Sequence, residues 1–188
     1  MNKKILFCFC LVVGLFVIQS GYGQELKARP GNWAVKFSST SVHNFYKLND
    51  SIYRSGQPCK KSFRELSLWG FKSILNLRKN RSDHFDSLPI QKFEVRMKAS
   101  RFTDIEIVSA LKILLRSPKP IVVHCMYGAD RTGVVLAMYR IIFEHWTKEM
   151  AIDELINGGY HFHKRFANIP KYITEVNIDR IKELIFEN

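Results

Sequence analysis

The sequence predicts an α/β fold with a central, mostly parallel sheet flanked by helices. Three observations point there. Ile121-Val122-Val123 is a short β-branched run after Pro118 and Pro120, the pattern of a parallel strand buried on both faces. Val134 to Phe143 is apolar nearly all round, as a buried helix must be. Upstream, strand-like and helix-like segments alternate, and that alternation builds a layered α/β domain.

In chain order, residues 1–23 read as a secretory signal peptide. Lys3 and Lys4 precede an apolar run from Ile5 to Ile18, and Gly21-Tyr22-Gly23 offers small residues for cleavage. The run is shorter than the ~20 residues of a membrane span, so an uncleaved anchor is the alternative and would be the chain's one link to a membrane. The expected location is periplasmic or secreted. Residues 24–188 then form a single domain, of a size typical for one. Residues 24–50 read as an irregular lead-in, and Ile52-Tyr53 as the start of the first strand. Ser62-Phe63-Arg64-Glu65 has the capping-box pattern and opens a short helix that Gly70 can close. Ser73 to Leu77 is strand-like, and 79–89 is a polar loop. Phe93, Val95 and Met97 alternate with Glu94, Arg96 and Lys98, which gives a strand with one buried face. Thr103-Asp104-Ile105-Glu106 is a second capping box, and its helix carries Ile107, Leu111 and Leu114 on one face. After the buried helix, two more helices are expected over roughly 148–156 and 171–186, with Gly158-Gly159 between them.

Composition sets limits on function. The chain is 46% apolar and 13% aromatic, which excludes a disordered chain. Its net charge of +12 favours anionic partners. Cleavage of the leader removes two lysines and leaves 12 − 2 = +10. It also removes Cys8 and Cys10, so Cys59 and Cys125 remain, too few for a disulfide scaffold. No Cys/His cluster has metal-ligand spacing, so neither a metal nor another cofactor is expected. No nucleic-acid motif is present, and specific nucleic-acid binding is not expected.

The chemistry lies in His124-Cys125-Met126-Tyr127-Gly128-Ala129-Asp130-Arg131-Thr132-Gly133. This segment leaves the carboxyl end of a strand and enters a helix N-terminus, where N–H groups and the helix dipole favour an anion. The backbone from Met126 through Thr132 would form the nest. Gly128 and Gly133 permit the close approach this needs. The same field favours a thiolate at Cys125, and a thiolate can attack phosphorus. Arg131 can hold two phosphoryl oxygens in a bidentate fork. Thr132 can hydrogen-bond the thiolate, and His124 can orient the loop.

The stretch His-Cys-x5-Arg-Thr-Gly resembles the phosphate loop of the cysteine-dependent protein tyrosine phosphatase superfamily. Ile52-Tyr53-Arg54-Ser55-Gly56-Gln57-Pro58 is similar to the segment near the start of atypical dual-specificity phosphatases. Lys72 to Arg78 looks like the strand that follows. Tyr139-Arg140, Trp146-Thr147, Ala151-Ile152-Asp153-Glu154 and Gly158-Gly159-Tyr160 resemble the helical tail of bacterial members. The resemblance spans roughly 45–175. It implies a phosphatase-type sandwich and a two-step reaction, phosphoryl transfer to cysteine and then hydrolysis.

The resemblance also implies an acid on the loop after the third strand, but Met97 to Phe102 holds no carboxylate. Asp130, inside the phosphate loop, is the first candidate, as in some lipid and inositol phosphatases. Asp104 is the second, and Asp83 and Asp86 rank below both. Lys98, Arg101 and Arg54 are candidate substrate-binding cations, and Lys60, Lys61, Lys79, Arg81 and His84 may be expected at the same edge. The expected substrates are phosphotyrosine proteins, with inositol phosphates or phosphoinositides as the alternative. Sulfur transfer and a non-catalytic phosphate-binding module are the competing functions. Cys59 is a candidate for a reversible disulfide with Cys125.

Overall fold

The computed structural model describes residues 29–85 and 87–187. The proposed leader, Cys8, Cys10 and Asp86 lie outside them. Among the described residues no helix is long and apolar enough to cross a membrane.

The strands are β1 (Val35–Lys36), β2 (Tyr46–Lys47), β3 (Ile52–Ser55), β4 (Ser73–Arg78), β5 (Gln91–Met97) and β6 (Ile121–His124). The helices are α1 (Lys60–Leu68), α2 (Asp104–Arg116), α3 (Asp130–Phe143), α4 (Lys148–Asn157), α5 (Asn168–Glu175) and α6 (Ile178–Phe186). Sheet order is β1-β2-β3-β6-β4-β5. β3, β6, β4 and β5 run parallel, while β1 and β2 add an antiparallel edge. β6 is central and wholly buried, as its β-branched run predicts. Val122 packs with Phe63 and Leu66 of α1. Ile121 and Val123 face the larger core built by α2 to α6. Parallel strands place their carboxyl ends on one edge, so residues following β3, β4, β5 and β6 converge there.

Three sequence expectations need correction. The lead-in is not wholly irregular: β1 and β2 lie within it, each two residues long and set by pairing with β3. Helix α1 begins at Lys60 with Cys59 as its N-cap; the Cys59 sulfur meets the Ser62 hydroxyl at 3.3 Å, and the Ser62/Glu65 capping box does not form. Ser62 and Glu65 instead clamp the preceding segment, where Ser62 Oγ donates to Ser41 O at 2.9 Å and Glu65 accepts from the Ser41 N–H and hydroxyl. The last helix is two helices. Pro170 sits in the first turn of α5, where its missing N–H costs nothing. Val176 then turns extended, and the Asn177 side chain caps α6 by accepting from Arg180 N at 3.1 Å. By contrast, the Thr103–Glu106 capping box forms as expected.

Candidate active site

The loop from Cys125 to Ala129 joins β6 to α3. Its carbonyls are held from outside. Gln57 N–H donates to Met126 O at 3.0 Å. Asn44 Nδ2 donates to Tyr127 O at 2.8 Å, and Arg54 Nη2 to Gly128 O at 2.7 Å. A peptide's N–H points opposite to its C=O, so fixing three successive carbonyls outward turns the N–H groups that follow them inward. Among the described residues the N–H groups from Met126 to Ala129 donate to no protein acceptor. They form the nest that an anion needs.

Gly128 is required twice over. Its φ is +72°, and a Cβ there would meet the Ser55 carbonyl at 2.4 Å. The end of β3 therefore presses directly beneath the loop. Gly133, already inside α3, would meet Leu155 Cδ1 at 2.3 Å.

Cys125 is 1% exposed at the floor, while Met126 and Tyr127 are about half exposed at the rim. Arg131 and Thr132 open α3. Arg131 Nε, Thr132 Oγ1, Ser55 Oγ and Arg54 Nε are buried with no hydrogen-bond partner in the protein. Orphaned buried polar atoms are rare. Several of these atoms gather around one loop, together with its inward N–H groups. Thr132 Oγ1 makes no bond to Cys125 here, so the expected hydroxyl–sulfur contact is absent.

His124 orients the loop as its position suggests. Its Nε2 meets Asp83 Oδ2 at 2.8 Å. Asp83 also accepts from Gln57 Nε2 at 3.0 Å and Arg78 Nη2 at 3.3 Å. Burial alone would raise the Asp83 carboxyl, but the His124, Gln57 and Arg78 groups outweigh it and hold it below the ordinary value. Asp83 therefore braces the loop through His124 and Gln57. Arg54 also lies beneath the loop. It is 2% exposed, its guanidinium lies 3.4 Å from the Tyr160 ring centroid, and it supports Gly128 from below. A side chain so enclosed supports the loop, with its Nε left without a protein partner.

The two acid candidates part company. Asp104 accepts from the Tyr172 hydroxyl at 2.8 Å. Asp130 lies at the start of α3, where it accepts from the His163 backbone N–H at 3.0 Å and faces His163 Nδ1 at 2.9 Å. It makes no bond to Arg131.

The basic residues divide. Lys98 and Arg101 are exposed and paired through the backbone, with Arg101 N–H on Lys98 O at 3.3 Å. Lys79 lies against them, and the neighbouring Lys98 ammonium, joined by burial and Arg101, pushes it down. Register explains the cluster: Arg78 pairs with Met97, so Lys79 and Lys98 leave the sheet side by side. Lys60, Arg78, Arg81 and His84 line a polar cleft of about 620 Å³ with Gln57 and Asp83. Arg78 lies within electrostatic reach of Arg131 and Cys125. Lys61 is the exception, lying in a separate depression with Ser39, Arg64 and Leu68. A larger cavity, of about 770 Å³, is lined by Arg29, Trp33 and Asp153. It includes no residue of the loop, and chemistry rather than volume selects the site.

Cys59 and Cys125 are both free thiols, one exposed and one buried. Hydrogen bonding from Ser62 lowers the Cys59 thiol below its usual range. No disulfide joins them. Among the described residues no group of His, Cys, Asp and Glu is placed to hold a metal ion. Sequence reasoning missed Asn44 and His163, whose only signal is spatial, and met Gln57 and Tyr160 only within resembling segments, with no role given; all four bond or pack against the loop or its supports.

The tyrosine phosphatase family model matches residues 40–184. The dual specificity protein phosphatase TpbA of Pseudomonas aeruginosa is 27% identical over 174 residues, covering 91% of this chain and 80% of that relative. The crystal structure of P. aeruginosa TpbA matches with a TM-score of 0.74 at 25% identity, over 84% of this chain and 98% of that one. The inositol diphosphatase DSP5 of Arabidopsis thaliana is 27% identical over 161 residues, covering 76% and 74%.

Proposed function

This chain belongs to the tyrosine phosphatase family, and on that premise we propose that it hydrolyses phosphate monoesters through a phosphocysteine intermediate on Cys125. One observation carries the reading: a buried cysteine and an unpaired Arg131 Nε share a loop whose carbonyls are held outward. A bound phosphoryl group would accept from the loop N–H groups and the Arg131 fork. Cys125 Sγ would attack in line, and the same donors would stabilise the transition-state oxygens. Water then cleaves the P–S bond.

The substrate we favour is a phosphotyrosine or dual-specificity protein site, in line with the printed activity of TpbA. A second reading is an inositol polyphosphate, in line with DSP5. What favours it is the Lys79–Lys98–Arg101 cluster, where like charges stand together and a second phosphate would relieve them. Residues 3–23 lead us to place the protein outside the cytoplasm, and N-terminal sequencing of the exported protein tests that. The functional test is phosphate release from phosphotyrosine and phosphoserine peptides, phosphoinositides and inositol phosphates, with Cys125→Ser as the control. Release from at least one class, abolished in the variant, is expected. Turnover that survives Cys125→Ser would overturn the reading.

A further inference from the structure

A leaving oxygen of low acidity needs a proton as its P–O bond breaks, and the described carboxylates near the loop are engaged elsewhere. Asp104 is bonded to Tyr172 on α5. Asp83 is bound beneath the loop by His124, Gln57 and Arg78. The oxygens of Asp130 are occupied as acceptors for the backbone N–H and ring Nδ1 of His163.

That last contact singles out His163. With Nδ1 turned onto a carboxylate, the tautomer carrying the Nδ1 proton is fixed. Nε2 then has no partner among the described residues. The ring packs edge-on to Tyr127 of the phosphate loop, centroids 5.3 Å apart, and to Phe166 at 6.2 Å. The side chain stays one-third exposed while Asp130 is almost fully enclosed. A free imidazole nitrogen is thus anchored on two residues of the loop that holds the nucleophile.

We propose that His163, anchored by Asp130, carries the proton in phosphoryl transfer; the proposal rests on the phosphatase reading above. In the first step Cys125 Sγ donates its electron pair to phosphorus. The P–O bond breaks with its pair on oxygen. The ring enters this step as the imidazolium, with a proton on each nitrogen. It passes its Nε2 proton to that oxygen and is left neutral, with the Nδ1 proton on Asp130's side. In the second step neutral Nε2 takes a proton from the attacking water, the P–O bond forms and the thiolate leaves. Imidazole changes charge near neutrality, which suits both steps. The groups facing the ring are Asp130 from α3, Tyr127 from the phosphate loop and Phe166 from its own segment. Of these, Asp130 brings a carboxyl group and Tyr127 a phenol.

The experiment is kcat/KM across aryl and alkyl phosphates of graded leaving-group acidity, for wild type, His163→Asn and Asp130→Asn. The asparagine at 163 keeps the backbone tether to Asp130 and a side-chain donor. His163→Asn should lose roughly 100-fold more on an alkyl than on a good aryl leaving group. The pH–rate profile on the alkyl substrate should change shape in His163→Asn, while the profile on the good aryl leaving group should not. Asp130→Asn, which removes the carboxylate that anchors the ring, should show the same larger loss on alkyl than on aryl substrates. Equal loss on every substrate, an alkyl pH–rate profile unchanged in His163→Asn, or loss of inorganic phosphate affinity that matches the loss of turnover would overturn the proposal. A wild type inactive on all aryl phosphates would sink the phosphatase reading and this inference with it.

Discussion

Arg131 and Gly128 have the most exacting positions in the loop. A planar fork matches two phosphoryl oxygens at once, and a lysine offers a single point of charge. Arg131→Lys should therefore lower kcat on an aryl phosphate by about 10²–10³-fold, the scale of one oxyanion-hole donor, with the thermal midpoint little changed. Gly128→Ala tests the backbone. The added methyl would overlap the Ser55 carbonyl and sit at a positive φ, so the loop must shift. A shift near 1 Å costs about 100-fold in turnover, and steady-state kinetics alongside thermal unfolding separates that loss from global instability. Much of this was legible in the residues: Cys125, Arg131 and the glycines lie within nine positions, so spacing alone assembles them. The braces were not. Asp83 reaches His124 across 41 positions and His163 reaches Asp130 across 33. No local pattern encodes such pairings, and for that reason Asp83 reads in sequence as a weak acid candidate rather than as a support.

At the scale of elements, two buried charge clusters tie the site to the fold. Asp83 joins the loop after β4 to the end of β6. Because its folded value is depressed, it contributes stability above its unfolded value, and that contribution is lost as pH falls through the folded one. Asp83→Asn should cost about 2 kcal/mol at pH 7, with the gap to wild type narrowing below about pH 4; urea melts across pH measure it. Glu154 of α4 accepts from Arg140 Nε at 2.9 Å, Ala34 N at 2.7 Å and Tyr160 OH at 2.8 Å. Its loss leaves Arg140 buried with less compensation, so Glu154→Ala should cost about 3–5 kcal/mol by the same melts. Legibility at this scale followed the length of the signal. β6 and the Thr103 cap were readable because burial on both faces and a capping box are local. β1 and β2 were not, since two residues carry no periodicity. The break between α5 and α6 was hidden by an amphipathic pattern that continues across Val176, although Asn177 was its available sign.

Across the whole molecule, parallel topology puts the ends of β3, β4, β5 and β6 on one edge, which gathers the nucleophile loop, the Asp83 brace and the basic residues that follow β4 and β5. The net charge of +12 becomes a local feature there, where Lys79, Lys98 and Arg101 stand together. The distribution was only half readable: Lys98 and Arg101 follow β5 and Arg54 lies beneath the loop, but Lys61 turns into a separate depression. The central claim is a covalent phosphoryl transfer to one sulfur. Acid quench of an aryl phosphate reaction within the first turnover, followed by peptide mass spectrometry, observes it directly. The account predicts one phosphoryl group on the peptide carrying Cys125, formed in the burst and absent from Cys125→Ser. Phosphate released with no adduct, or an adduct on another residue, would contradict it.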